Sequence, residues 1–175
     1  MTWTTIPTIS AGDKYPAASW NTYIRDNMND LRENFPAWLS ADRLASDFVK
    51  TTDVTLADVA GLSFAIGASE IWTFVVFLHI LSPTAADIKY ALTVPISAAG
   101  RYGVHGSRNE IVGDAAIGTN VTMTTLDSTD FAHTMHGTVV NSTTAGTVQL
   151  QAAQNASSGT TTVYANSSIV AVKIG

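Results

Sequence analysis

The chain has 175 residues and a net charge of −5; 46% of the residues are apolar and only 13% are charged. An acidic chain with no basic stripe has nothing to neutralise nucleic-acid phosphates or to hold an anionic membrane surface, so neither partner is expected. With no cysteine, disulfide scaffolds, thiol catalysis and cysteine zinc sites are excluded. The charged share is about half the usual quarter. Thr, Ser, Ala, Asn and Gly make up the difference, and such a surface suits β structure better than a soluble helical bundle. The opening Met-Thr-Trp-Thr-Thr-Ile-Pro has no basic n-region and no apolar h-region, so no secretion signal is expected.

Residues 1–16 are Thr-rich and broken by Pro7, Gly12 and Pro16, which reads as an extended arm. The arm buries little of itself, so Trp3, Ile6 and Ile9 need another surface, either a foreign one or the chain's own domain. Residues 17–35 read as a helix. Pro16 sits where a first turn tolerates it, and Ala17, Trp20, Ile24, Met28, Leu31 and Phe35 recur at helical steps. Pro36 ends it. Ala37 to Val49 reads as a second short helix, with Trp38, Leu39, Leu44 and Phe48 as its contacts and Ser40 or Asp42 as its cap. The resulting division is an attachment region over 1–50 and a β domain over 51–175.

From Thr51 the period becomes two. Leu56, Val59, Leu62, Phe64 and Ile66 mark a first strand region. Glu70–Leu81 is a long strand with Trp72, Phe74, Val76 and Leu78 on one face and Ile71, Val75, Phe77 and His79 on the other. Apolar residues on both faces predict burial on both. The run is too short to span a bilayer. Ile88–Val94 alternates cleanly and ends at Pro95. Further strands are expected over 100–105, 111–116, 121–126, 137–141, 147–153, 160–165 and 168–174, punctuated by Gly, Asn and Ser. With no helices between strands, the fold class is mainly β: an antiparallel β-sandwich or jelly roll preceded by an extended arm and a helix.

Few residues suggest chemistry. His133 and His136 form a His-x-x-His pair beside Asp130, with Asp127 nearby, but the flanks read as strand and loop, and two loop histidines are the expected outcome. His105 lies in a Gly-rich stretch with Arg101, Arg108 and Glu110, which lacks the strand-to-helix context and the Lys of a phosphate loop. There is no Gly-x-Ser-x-Gly elbow, no His-Glu-x-x-His and no paired acid set. The chain is expected to be non-enzymatic, with no metal and no cofactor. The Asn-x-Ser/Thr triplets at Asn120, Asn141, Asn155 and Asn166 are the chance product of a Ser/Thr-rich chain.

Gly12-Asp-Lys-Tyr-Pro-Ala-Ala-Ser-Trp-Asn-Thr-Tyr-Ile-Arg-Asp-Asn-Met-Asn-Asp-Leu resembles a motif near the N-terminus of many tailed-bacteriophage virion proteins, labelled minor tail, tail-fibre or head-fibre proteins. The motif falls on Asn21, Ile24, Arg25, Asp26, Asn27 and Leu31. Segments starting at Val54, Leu62, Asp87 and Ser167 resemble the β modules of the same proteins, so the resemblance spans most of the chain. It implies a virion component, a homotrimer bound to other virion proteins. Within that frame Trp3, Ile6, Ile9, Trp20, Ile24, Met28 and Leu31 are the expected particle anchors, and Ile71, Val75 and Phe77 the expected trimer interface.

Two roles fit. One is a head decoration or head fibre whose arm grips the shell. The other is a tail-fibre or tail-tip module that holds a host-surface glycan in sandwich loops. A glycan site needs exposed aromatics beside Asp or Asn, and Tyr102, Phe131 and Tyr164 are the loop candidates.

Overall fold

The computed structural model describes residue 16 and residues 22–29, 39–106, 113–123 and 131–175. It divides into two compact units, Met1–Leu39 and Ser40–Gly175. In the first unit residues 22–29 are helical. Ile24 and Met28, one turn apart, share a face of this helix and are 41% and 63% exposed. Residues 1–15 of the arm, and the expected helical residues 17–21 and 30–35, lie outside the described residues.

The second unit is built from strands: β1 (Leu39–Arg43), β2 (Phe48–Thr51), β3 (Ala57–Ile66), β4 (Ile71–Leu81), β5 (Ile88–Thr93), β6 (Ala99–Gly106), β7 (Gly113–Ala116), β8 (Val121–Met123), β9 (Phe131–Val140), β10 (Gly146–Gln154), β11 (Thr160–Val163) and β12 (Ser168–Lys173). The larger sheet runs β1-β12-β4-β9-β6-β7, with β11 pairing β4 and β2; the smaller runs β3-β10-β5-β8. The pairings are antiparallel. From β3 to β10 the chain steps repeatedly from one sheet to the other, with β6 and β7 entering the larger sheet as a hairpin. This is the winding of a jelly roll. The expected mainly β antiparallel sandwich is the observed fold.

Side-chain alternation explains the layers. On β4, Trp72, Phe74, Val76, Leu78 and Ile80 point inward and are buried. They meet Leu62, Phe64, Tyr90, Leu92 and Leu150 from the smaller sheet in one core. Phe64 packs on Trp72 and Phe74, with centroids 5.4 and 6.0 Å apart. Each such side chain contributes about 1.5–3 kcal/mol on burial, before chain entropy is subtracted. At Gly137 of β9 the core leaves no room: a Cβ there would stand 2.8 Å from both Phe74 and Tyr102 atoms. β3 carries a bulge where its register with β10 breaks between Gln149 and Gln151. The Gln149 amide fills it, donating to the carbonyls of Val59 and Leu62 at 2.9 and 3.2 Å.

Three expectations are corrected. The second helix is absent: residues 39–43 and 48–51 are strands. β2 pairs with β11, β1 lies beside β12, and Leu44 between them is buried in the core while its amide donates to the Ser167 carbonyl at 2.8 Å. These long-range pairings outweigh a local apolar spacing that fits a helix. The loop expected around His133 and His136 is the first half of β9. Finally, β4 is fully buried on one face only: among the described residues nothing buries its other face, where Val75 is half-buried and Phe77 exposed.

Candidate functional site

The outer face of the larger sheet follows from the strand register. Along β4, Ile71 stands opposite Val140, Thr73 opposite Val172 and Thr138, Val75 opposite Val170 and His136, and Phe77 opposite Ser168 and Thr134. The expected interface residues Ile71, Val75 and Phe77 are thus brought onto one face with Val140, Val170 and Val172, all partly or well exposed. Phe77 is 49% exposed. Just before β4, at the end of its core-facing side, Glu70 is a hub. Its carboxylate accepts the Gly67 amide at 2.6 Å, the Trp72 indole N–H at 2.9 Å and the Lys173 ammonium at 2.7 Å, tying β4 to β12. Partial burial raises the Glu70 pKa, but the three donors outweigh it and hold the carboxyl below its ordinary value.

Toward β6 and β7 the face turns polar. Arg101 of β6 pairs with Asp114 of β7, Nη2 to Oδ2 at 2.8 Å, which raises the Arg101 pKa. Gly103 lies between His136 and Asp114 in the register and puts no side chain on the surface. An open depression of about 570 Å³ results, lined by Arg101, Gly103, His105, Asp114, His136 and Thr138.

The histidines are rearranged relative to the sequence pattern. On a strand, residues three apart face opposite sides, so the His133–His136 pair is split. His133 is buried, with Nδ1 2.9 Å from the Tyr90 hydroxyl. Burial disfavours its charged form and pushes its pKa down to about 4. His136 is exposed and stacks on His105 with ring centroids 4.9 Å apart. Sequence reasoning missed that partnership. The signal available was the alternation of Phe131, His133 and Met135, which marks a strand and turns His136 outward. Asp127, Asp130, Arg108 and Glu110 lie outside the described residues.

The aromatic candidates for a sugar platform sit elsewhere. Tyr102 and Phe131 are core residues, 1% and 4% exposed. The Tyr102 hydroxyl donates to the carbonyls of Thr119 and Tyr90 at 2.6 and 3.2 Å, and burial raises its pKa to about 12. Tyr164 is half-buried. Of the expected anchors and motif residues, Ile24, Arg25, Asp26, Asn27 and Met28 fall on the helix over 22–29, where Arg25 and Asp26 pair at 3.3 Å. Trp3, Ile6, Ile9, Trp20, Asn21 and Leu31 lie outside the described residues.

No known family model and no curated protein matches the chain. Among solved structures it is similar to the Eiger TNF of S. frugiperda, with 11% identity and a TM-score of 0.42 over 79% of this chain and 94% of that one. It is also similar to the tripod from the baseplate of bacteriophage Tuc2009, with 11% identity and a TM-score of 0.31 over 98% of this chain and 99% of that one.

Proposed function

We propose that the chain is a non-enzymatic structural protein of a bacteriophage virion: a head decoration or head fibre, assembled as a homotrimer, whose N-terminal region binds other virion proteins while the sandwich projects outward. The observation that carries this reading is the contiguous apolar outer face of β4 and β12, with Val140 of β9 at its border. Exposed clusters of large apolar side chains on an otherwise polar surface mark interaction sites, and obligate interfaces are more apolar than transient ones. The motif over Asn21–Leu31 supports the class of particle and the three-fold assembly. The burial of Tyr102 and Phe131 favours the structural role over glycan recognition, since it removes two of the three aromatics that a sugar platform would use.

The test is direct. Light scattering at micromolar concentration should report three chains, and the purified protein should co-sediment with particles that lack their native copy. A stable monomer that stays in the supernatant refutes the reading.

A further inference from the structure

We propose that His105 and His136 form a two-imidazole chelating site for a borderline transition-metal ion such as Cu²⁺, Ni²⁺ or Zn²⁺, on the polar margin of the outer face. The case starts from register. His105 stands opposite Thr134 and Gly103 opposite His136. The two histidines are therefore diagonal neighbours on adjacent antiparallel strands, a relationship that places long side chains within mutual reach. Their rings lie face to face, with centroids 4.9 Å apart and planes inclined by 21°. Metal–imidazole bonds of about 2.0–2.1 Å put two donor nitrogens on one ion roughly 3 Å apart. Both rings are exposed, so turning each about its own side-chain torsions to present a nitrogen disrupts no buried packing. Gly103 keeps the space beside His136 open, and the depression there admits an ion with its waters.

The donor set decides the class of ion. Imidazole nitrogen suits Cu, Ni and Zn, whereas Ca²⁺ and Mg²⁺ demand oxygen ligands. Among the described residues no three His, Cys, Asp or Glu side chains gather to hold a metal. The described residues thus supply two imidazole donors, and the order of affinity follows the general preference for Cu²⁺. The other histidines cannot substitute. His133 is buried against Tyr90, and His79 stands opposite Ala132 on β4. The inference does not rest on the virion reading, because binding and assembly are read by separate measurements.

The experiment is calorimetric titration of the full chain, in its native oligomeric state, with Cu²⁺, Ni²⁺, Zn²⁺ and Ca²⁺. Cu²⁺ should bind most tightly and Ca²⁺ should give no heat. His105→Ala and His136→Ala should each weaken Cu²⁺ binding by about tenfold or more, because each removes the intramolecular partner of the chelate. His79→Ala should leave it unchanged. Sub-stoichiometric Cu²⁺ added to the unaltered chain should broaden the imidazole proton resonances of His105 and His136 selectively, a readout that needs no variant to fold. Unchanged affinity in either single variant, absence of Cu²⁺ binding, or equal broadening of all four histidines overturns the proposal.

Discussion

The Tyr90 hydroxyl lies 2.9 Å from Nδ1 of His133, so one hydrogen bond joins β5 of the smaller sheet to β9 of the larger through the middle of the core. The Tyr90 and His133 rings meet edge to face at 5.8 Å, and the Phe131 ring stacks on that of His133 with centroids 6.4 Å apart. Burial holds the imidazole neutral, with a pKa of about 4 against an ordinary 6.5. Between those values the unfolded chain binds a proton that the folded chain refuses. Stability therefore falls as pH drops from about 6.5 to about 4, and this contribution is fully present above 6.5. The whole window is worth about 3–4 kcal/mol at 1.36 kcal/mol per pH unit. We expect the urea midpoint, at fixed protein concentration, to fall through this window and to do so less steeply in His133→Gln, whose amide stays neutral. An equal slope in the variant would remove His133 as the cause.

Glu70 offers a second test, at the end of the core. Replacing it by Ala leaves the Trp72 indole, the Gly67 amide and the Lys173 ammonium without their acceptor. The expected loss is about 1–3 kcal/mol at pH 7, the usual cost of stranding partly buried donors. The sign with pH is opposite to a buried neutral acid. The folded pKa is lowered, so the stabilisation is present above the unfolded carboxyl value and disappears as pH falls through the folded one. Thermal melts at pH 7 should separate Glu70→Ala from the unaltered chain, and melts in strong acid should bring the two together.

Much of the sandwich was legible in the sequence because β5 alternates cleanly, β4 is a long apolar run, and Gly, Asn and Ser punctuate the strands, all of which are local signals. The pieces that were not legible depend on partners far away in the chain. Trp38, Leu39, Leu44 and Phe48 fit a helical spacing, and only the pairing of Phe48–Thr51 with Thr160–Val163 makes β2 a strand. The same holds for the polar margin: His105 and His136 are neighbours through the β6–β9 register, which no local pattern encodes. The apolar character of Ile71, Val75 and Phe77 was legible. Their partial exposure, greatest at Phe77, was not, because a two-faced apolar strand reads identically whether its second cover comes from the same chain or from another.

That exposure leads to the third expectation, which follows the assembly reading. Phe77→Asp places a charge in the middle of the outer face, opposite Ser168 and Thr134, without touching the core. Burying an unpaired carboxylate between chains is costly. The assembly should weaken by about a hundredfold or more, which is about 2.7 kcal/mol. Sedimentation velocity should show the shift to monomer, while the far-ultraviolet circular dichroism keeps its β signature. A variant that stays assembled would move the interface away from β4.

The last expectation concerns attachment. Ile24 and Met28 share one face of the helix over 22–29 and are exposed on it. An isolated amphipathic helix of a few turns is marginal in water, so its order is expected to come from a surface that covers that face. With Trp3, Ile6, Ile9, Trp20 and Leu31 added, each anchor contributes about 1.5–3 kcal/mol on burial before entropy is subtracted. Three linked copies engaging one particle would multiply that into very slow release, because after the first arm binds the others do so at high effective concentration. Deleting residues 1–35 should leave the strands from Leu39 onward folded, since among the described residues their core draws on Leu44 and later residues. The shortened protein should keep its β circular dichroism and its oligomeric state, yet fail to co-sediment with particles lacking the native copy. If it binds them at full occupancy, the anchor lies on the sandwich, and the apolar face of β4 and β12 becomes the first place to look for it.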